Sequence, residues 1–229
     1  MSVEKNIAEI KKKMEEAKQR SRYHQDVKLI AVTKTVEHEK MIQAYRAGIL
    51  DFGENRVQEI QKKYELFPKE IRWHLIGTLQ TNKVKYIIDK VHMIHSLDRD
   101  SLAKEIDKRA RERSKSMDCL VQVNISQEGS KHGQTKEEAL DFVEHICRSY
   151  PNIRIRGLMG MAPFEEDSEK TRCYFTDMKQ LFEEAKTLNL GNSEMSHLSI
   201  GMTNDYEIAI EEGSTIVRVG TGIFGRRNY

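Results

Sequence analysis

Lys34 ends an otherwise apolar run, Leu29-Ile30-Ala31-Val32-Thr33, and is the first residue whose type and place suggest chemistry. Side chains alternate along an extended segment, so an inward Lys34 would sit above Val32 and Ile30. Desolvation at that depth disfavours the ammonium, and the neutral amine can attack a carbonyl to form a Schiff base. The competing reading is a lysine just past a strand end that snorkels into solvent. Arg218 stands between Val217 and Val219 in Thr215-Ile216-Val217-Arg218-Val219-Gly220. A buried arginine is kept where it is paired or used, so Arg218 is either a structural salt-bridge residue or a cation facing a ligand ring or anion.

Two glycine-bearing turns accompany these cations. Gly220-Thr221-Gly222-Ile223-Phe224-Gly225 matches G-x-G-x-x-G formally. The dinucleotide reading fails on context, because that motif opens a helix and needs an acidic residue about 20 positions later. Such a turn still offers backbone N–H groups to a phosphate. Ser199-Ile200-Gly201-Met202-Thr203 forms the second turn and leads into Asn204-Asp205-Tyr206-Glu207, whose Asn204 and Glu207 have capping-box spacing. A strand end carrying a serine before a helix N-terminus suits an anion. Together the turns predict a two-sided phosphate cup. His92 and His95 are three apart in one apolar run and are expected to face opposite sides, which makes a poor metal pair, and no metal site is expected. Lys131 and His132 in Gly129-Ser130-Lys131-His132-Gly133 could reach over a mouth or belong to a surface loop.

The elements that must position these residues alternate along the chain. A compact apolar run rich in β-branched residues at 27–34 predicts a strand buried on both faces, and the alternation repeats with strands expected over 49–54, 71–77, 91–97, 118–124, 154–161, 195–201 and 215–220. Helices are expected over 3–22, 37–48, 56–65, 79–89, 99–115, 135–150, 168–188 and 204–212, with Gly48 and Gly213 as helix stops. Strand–helix alternation demands parallel strands, and eight such units predict a single-domain (β/α)₈ barrel over residues 1–229 with an extra N-terminal helix. An open doubly wound sheet is the competitor. In a barrel the reactive groups gather at the C-terminal ends of the strands. Those ends read Lys34, Glu54, Asn55, His74, Gly77, Ser96, Asn124, Met159, Ser199, Gly201, Arg218, Gly220 and Thr221. Lysine, arginine, serine and glycine at one mouth point to an anionic, phosphorylated ligand.

Composition narrows the class. The 229 residues carry 38 Lys and Arg against 36 Asp and Glu, a net charge of +2, which argues against a dedicated nucleic-acid binder. No apolar run is long enough for a membrane span, and the charged start lacks a signal-peptide core. Cys119, Cys147 and Cys173 are scattered and odd in number, so a reducing cytoplasm is expected. The helix expected over 3–22 has Ile7, Ile10, Met14 and Ala17 on one stripe, with its lysines and glutamates interleaved on a solvated face.

The segments AVTKT (31–35), DFGENRVQE (51–59), IRWHLIGTLQTNK (71–83), HSLD (95–98), VQVN (121–124), SKHG (130–133), GLMGMA (157–162), LSIGM (198–202) and VRVGTGIFGRR (217–227) resemble the pyridoxal-phosphate homeostasis proteins, single-domain relatives of alanine racemase. The resemblance runs in order from Val27 to Arg227. Departures are small: Thr33, Thr78 and Thr81 stand where relatives often have serine or histidine, and Ile200 where methionine is common. The resemblance implies a (β/α)₈ barrel that binds pyridoxal 5′-phosphate (PLP), with Lys34 as the Schiff-base lysine. It implies Ser199, Gly201, Gly220 and Thr221 at the phosphate, Arg218 facing the pyridine nitrogen, and Asn55 beside the ring.

The resulting expectation is a cytoplasmic monomer that binds PLP and takes part in vitamin B6 homeostasis without established turnover, with PLP-dependent apo-enzymes as recipients and neither nucleic acid nor membrane as partner. A cation opposite the pyridine nitrogen should keep that nitrogen unprotonated and make the ring a poor electron sink. Racemases of this resemblance carry a second, β-rich domain with an acid/base tyrosine, for which this chain has no room. The alternatives are a racemase-like enzyme, a Schiff-base aldolase or phosphosugar enzyme on the same barrel, and an adaptor working through the charged first helix.

Overall fold

The computed structural model describes residues 2–126 and 132–225. Eight strands close into a parallel barrel in sequence order. They are β1 (Lys28–Val32), β2 (Asp51–Glu54), β3 (Arg72–Leu75), β4 (Met93–Leu97), β5 (Met117–Val123), β6 (Ile153–Gly160), β7 (Ser193–Met202) and β8 (Ile216–Val219). Closure runs through β1 and β8, with Lys28 opposite Ile216 and Ala31 opposite Val219. The helices are α1 (Val3–Arg20), α2 (His38–Arg46), α3 (Val57–Tyr64), α4 (Asp100–Glu112), α5 (Lys136–Ser149), α6 (Arg172–Thr187), α7 (Tyr206–Glu211) and the one-turn α8 (Thr221–Phe224).

Alternation sends one set of strand side chains out to the helices and the other into the barrel. Phe52, Trp73 and Leu75 join the outward core, while Met93, Leu120 and Met159 form a small cluster of their own inside. The stripe expected on the first helix is buried: Val3, Ile7, Ile10, Met14 and Ala17. It packs on α7 and α8, and Asn6 Nδ2 donates to Ile223 O at 2.8 Å. The N-terminal helix therefore braces the turn that follows β8. Gly48 and Gly213 follow α2 and α7 at φ of 82° and 93°, as expected of helix stops.

Local expectations changed in five places. The helix expected over 79–89 is a 3₁₀ helix, Thr81–Tyr86, and the one expected over 168–188 opens with a 3₁₀ turn, Ser168–Thr171. Asn204 and Glu207 form no capping box: the cap of α7 is Asp205, whose Oδ1 instead accepts from the Met202 amide at 2.6 Å. β1 ends at Val32, so Lys34 lies in the following turn rather than in the strand. His92 precedes β4, so strand parity does not govern it; its ring sits 5.4 Å from that of His74, while the His95 ring sits 5.1 Å away. Both histidines thus neighbour His74 instead of facing opposite sides. Among the described residues no helix is long and apolar enough to cross a membrane.

Candidate cofactor site

The mouth of the barrel holds a cavity of about 300 Å³ lined by residues from the ends of β1, β2, β3, β6, β7 and β8. That volume lies at the small end of ligand pockets. Lys34, Asn55, Arg218, Gly220 and Thr221 all line it. Val32 lines it too, so the alternation that places Lys34 above Val32 holds through the turn. Lys34 is half-buried, and among the described residues no ion pair or hydrogen bond engages its amine.

The backbone that carries Lys34 is fixed from behind. Lys63 Nζ donates to Thr33 O at 2.9 Å and to Glu54 Oε1 at 2.7 Å, and Thr33 Oγ1 donates to the same Oε1 at 2.6 Å. Burial pushes the Glu54 carboxyl up against these partners, and its Oε2 has no hydrogen-bond partner among the described residues. Thr35 completes the turn at φ 59°, a left-handed conformation that a β-branched residue adopts at a cost of about 1–3 kcal/mol. On the neighbouring side Gly77 lies against Asn55: a Cβ there would stand 2.4 Å from Asn55 O. Glycine is what lets that strand end approach the loop carrying Asn55.

Arg218 enters the cavity from below. It is 4% exposed, and its Nη1 donates to Ser199 O at 2.7 Å and Ser199 Oγ at 2.6 Å, while Nη2 donates to Gly160 O at 2.9 Å. Burial pulls its guanidinium down to about 10, against the opposing effect of nearby Asp205, so it stays cationic at neutral pH. Burial pushes the carboxyl of Asp205, itself a lining residue, upward.

Two predicted phosphate residues are elsewhere. Ser199 is fully buried below the cavity, and its hydroxyl is taken by Arg218 and by His95 Nδ1 at 3.1 Å. Gly201 is buried at φ 91°, where a Cβ would come 2.5 Å from that of Ala209; its need for glycine is packing against α7. The strand end was read with the wrong residue at the mouth, because β7 runs on to Met202. The hydroxyl that β7 delivers to the cavity is Thr203, whose Oγ1 accepts from Gly220 N at 3.3 Å and Gly222 N at 3.5 Å. Thr203 thereby ties the two turns into one cup. His74, Ser96 and Met159 are also buried and absent from the lining. Lys131 lies outside the described residues; His132 is exposed, 3.9 Å from Asp98. Sequence reading also missed Ile76, Met161 and Phe164, which give the mouth an apolar side; Phe164 is 76% exposed.

The fold and this mouth define a class. Residues 6–228 match the alanine racemase N-terminal domain family, and the chain belongs to it. Within that class it belongs to the pyridoxal phosphate homeostasis proteins. It is 45% identical over 203 residues to the protein of that name from Aquifex aeolicus, covering 88% of each. It is 39% identical over 233 residues to that from Pasteurella multocida, covering 100% of this chain and 99% of the relative. The solved structure of PipY from Synechococcus elongatus PCC7942 with PLP bound superposes with a TM-score of 0.83 at 29% identity, covering 98% of this chain and all of that one.

Proposed function

We propose that the chain binds PLP covalently at Lys34 and serves PLP homeostasis. The observation that carries this is the convergence of Lys34, Asn55, Arg218, Gly220 and Thr221 on one cavity. The donor set fits the group. PLP supplies an aldehyde that condenses reversibly with a lysine amine, a ring and a phosphate. Lys34 supplies the amine, on a backbone held by Lys63 and Glu54. Thr203 and Thr221 supply hydroxyls for the phosphate, with the Gly220 and Gly222 amides holding Thr203 Oγ1 from behind, and hydrogen bonds to a charged acceptor are the strong kind. Arg218 supplies a fixed cation at the ring nitrogen, Asn55 a polar neighbour to the ring, and Met161 and Phe164 help keep water off it.

Arg218 also accounts for a role in custody rather than turnover. A guanidinium can donate a hydrogen bond to a ring nitrogen but does not give up its proton, and its charge repels a second cation, so the nitrogen it faces stays unprotonated. A ring in that state is a weak electron sink. The curated relatives are named for homeostasis, which supports the same reading. We take the chain as one cofactor domain, a cytoplasmic monomer whose recipients are PLP-dependent apo-enzymes. Three free cysteines support a reducing compartment.

The test is the absorbance spectrum of purified protein given PLP, before and after borohydride, followed by peptide mass mapping. The expected result is a visible band lost on reduction and a cofactor-mass increase on the Lys34 peptide alone. A label on another lysine, or none, overturns the assignment.

A further inference from the structure

Below the mouth, polar side chains run in single file through the barrel. Arg72 donates to Asp51 Oδ1 and Oδ2 at 2.8 and 2.6 Å. Asp51 Oδ1 is 2.9 Å from His74 Nε2, His74 Nδ1 is 3.0 Å from His95 Nε2, and His95 Nδ1 is 3.1 Å from Ser199 Oγ. Ser199 Oγ meets Arg218 at 2.6 Å. Asp51, His74, His95, Ser199 and Arg218 are all buried, and β2, β3, β4, β7 and β8 contribute one each.

Only one proton order satisfies every link when both rings are neutral. Arg218 carries donors alone, so Ser199 Oγ accepts from it. Arg72 holds Asp51 as a carboxylate: burial pushes that carboxyl up, but the bonds from Arg72 and His74 outweigh this and keep it well below the usual range. Asp51 therefore accepts the His74 Nε2 proton. His74 Nδ1 is then bare and accepts from His95 Nε2, and His95 Nδ1 is bare and accepts the Ser199 hydroxyl proton. The reverse order turns a bare nitrogen on the carboxylate and leaves Ser199 with two donors. Burial keeps the rings neutral, pushing His74 down to about 4 and His95 well below its ordinary value.

We propose that Asp51, His74, His95 and Ser199 are positioning residues: a one-way hydrogen-bond relay that anchors Arg218 from the opposite end of the barrel and aims its guanidinium into the mouth. The proposal rests on reading Arg218 as a cofactor contact. Among the described residues Arg218 has no carboxylate within ion-pair distance; Asp205 acts on it from farther off, and the groups that touch its guanidinium are oriented dipoles. The relay supplies them in series, each bond polarising the next, and ends on the negative charge of Asp51. Ser199 Oγ can face Arg218 with a lone pair only while His95 takes its proton.

The experiment is nitrogen NMR on cofactor-free protein labelled at histidine and arginine, paired with PLP titration. At neutral pH, His74 and His95 should both be neutral with the proton on Nε2. In Ser199→Ala and His74→Leu the Arg218 guanidinium signals should shift, and the PLP dissociation constant should rise about tenfold, the scale of one lost hydrogen bond to a charge. His74→Gln, which keeps a donor and an acceptor, should recover most of that loss. A doubly protonated ring, an Nδ1 proton on either ring, or folded variants with unmoved Arg218 signals overturns the relay. Should His74→Leu fail to fold, the parent tautomers and Ser199→Ala decide alone. If the tautomers and the Arg218 shifts hold but PLP does not bind, the relay stands and the cofactor reading fails.

Discussion

At the N-terminal end of the strands, Asp51 is gripped by Arg72, His74 and Lys28, the last at 3.9 Å, and Asp118 by Arg154 at 2.6 Å. Arg156 reaches both Asp118 and Glu194. At the C-terminal end, the Lys34 amine has no partner among the described residues, and Thr203 and Thr221 line open space. The two ends are built from similar residue types. One closes its charges on each other, which serves stability; the other leaves donors aimed at a cavity, which serves a ligand. A barrel separates these duties along its axis.

Removing Lys34 should break the comparison most completely. Lys34→Ala is expected to abolish borohydride-fixable PLP while leaving the melting temperature nearly unchanged, since the side chain packs against no core; mass spectrometry and a thermal melt check both. The far end should respond in the opposite sense. His74 has its buried neutral form favoured, with a folded value of about 4 against 6.5 in a free chain. Between these values the unfolded chain binds a proton that the native state refuses, so stability falls as pH drops from about 6.5 towards 4, by up to about 3 kcal/mol from this group. Urea unfolding at pH 7 and pH 5 should show about 2 kcal/mol of that loss, and a flat profile would remove His74 from the account. Thr203→Val with Thr221→Ala sharpens the mouth side. Charge-assisted bonds of roughly 1.5–3 kcal/mol each predict at least tenfold weaker PLP binding, with pyridoxal lacking its phosphate little affected. The smallest effect belongs to Phe164→Ala on the exposed rim: less than about 0.5 kcal/mol in stability, measured by urea, as for other surface changes.

The barrel was legible because short strand-like segments alternate with helix signals, Lys34 because a cation ends the first apolar run, and Arg218 because a cation stands between valines in the last. Asn55 was legible as a strand-end residue, and only its place beside the ring came through resemblance. Ser199 and Thr203 were exchanged because the length of β7 decides which hydroxyl reaches the top, and nothing in Leu198–Thr203 marks where pairing stops. The relay was not read from the chain. Its links join residues 19 to 104 positions apart, and each histidine alone looks like a satisfied core residue. The signal present was parity: Asp51, His74 and His95 occupy inward positions of three consecutive strands, and a polar residue at each is unusual beside the apolar interior cluster of Met93, Leu120 and Met159.

The hydrogen-bonded ring of β1 to β8 has no first or last strand. An open sheet would present a bare row of amides and carbonyls at each edge, able to template another chain whether or not a ligand is bound. Here discharge of the ligand uncovers only a dimple of loops at one pole. Closure removes that edge in both states, so the cycle of filling and emptying can repeat without exposing a sticky border.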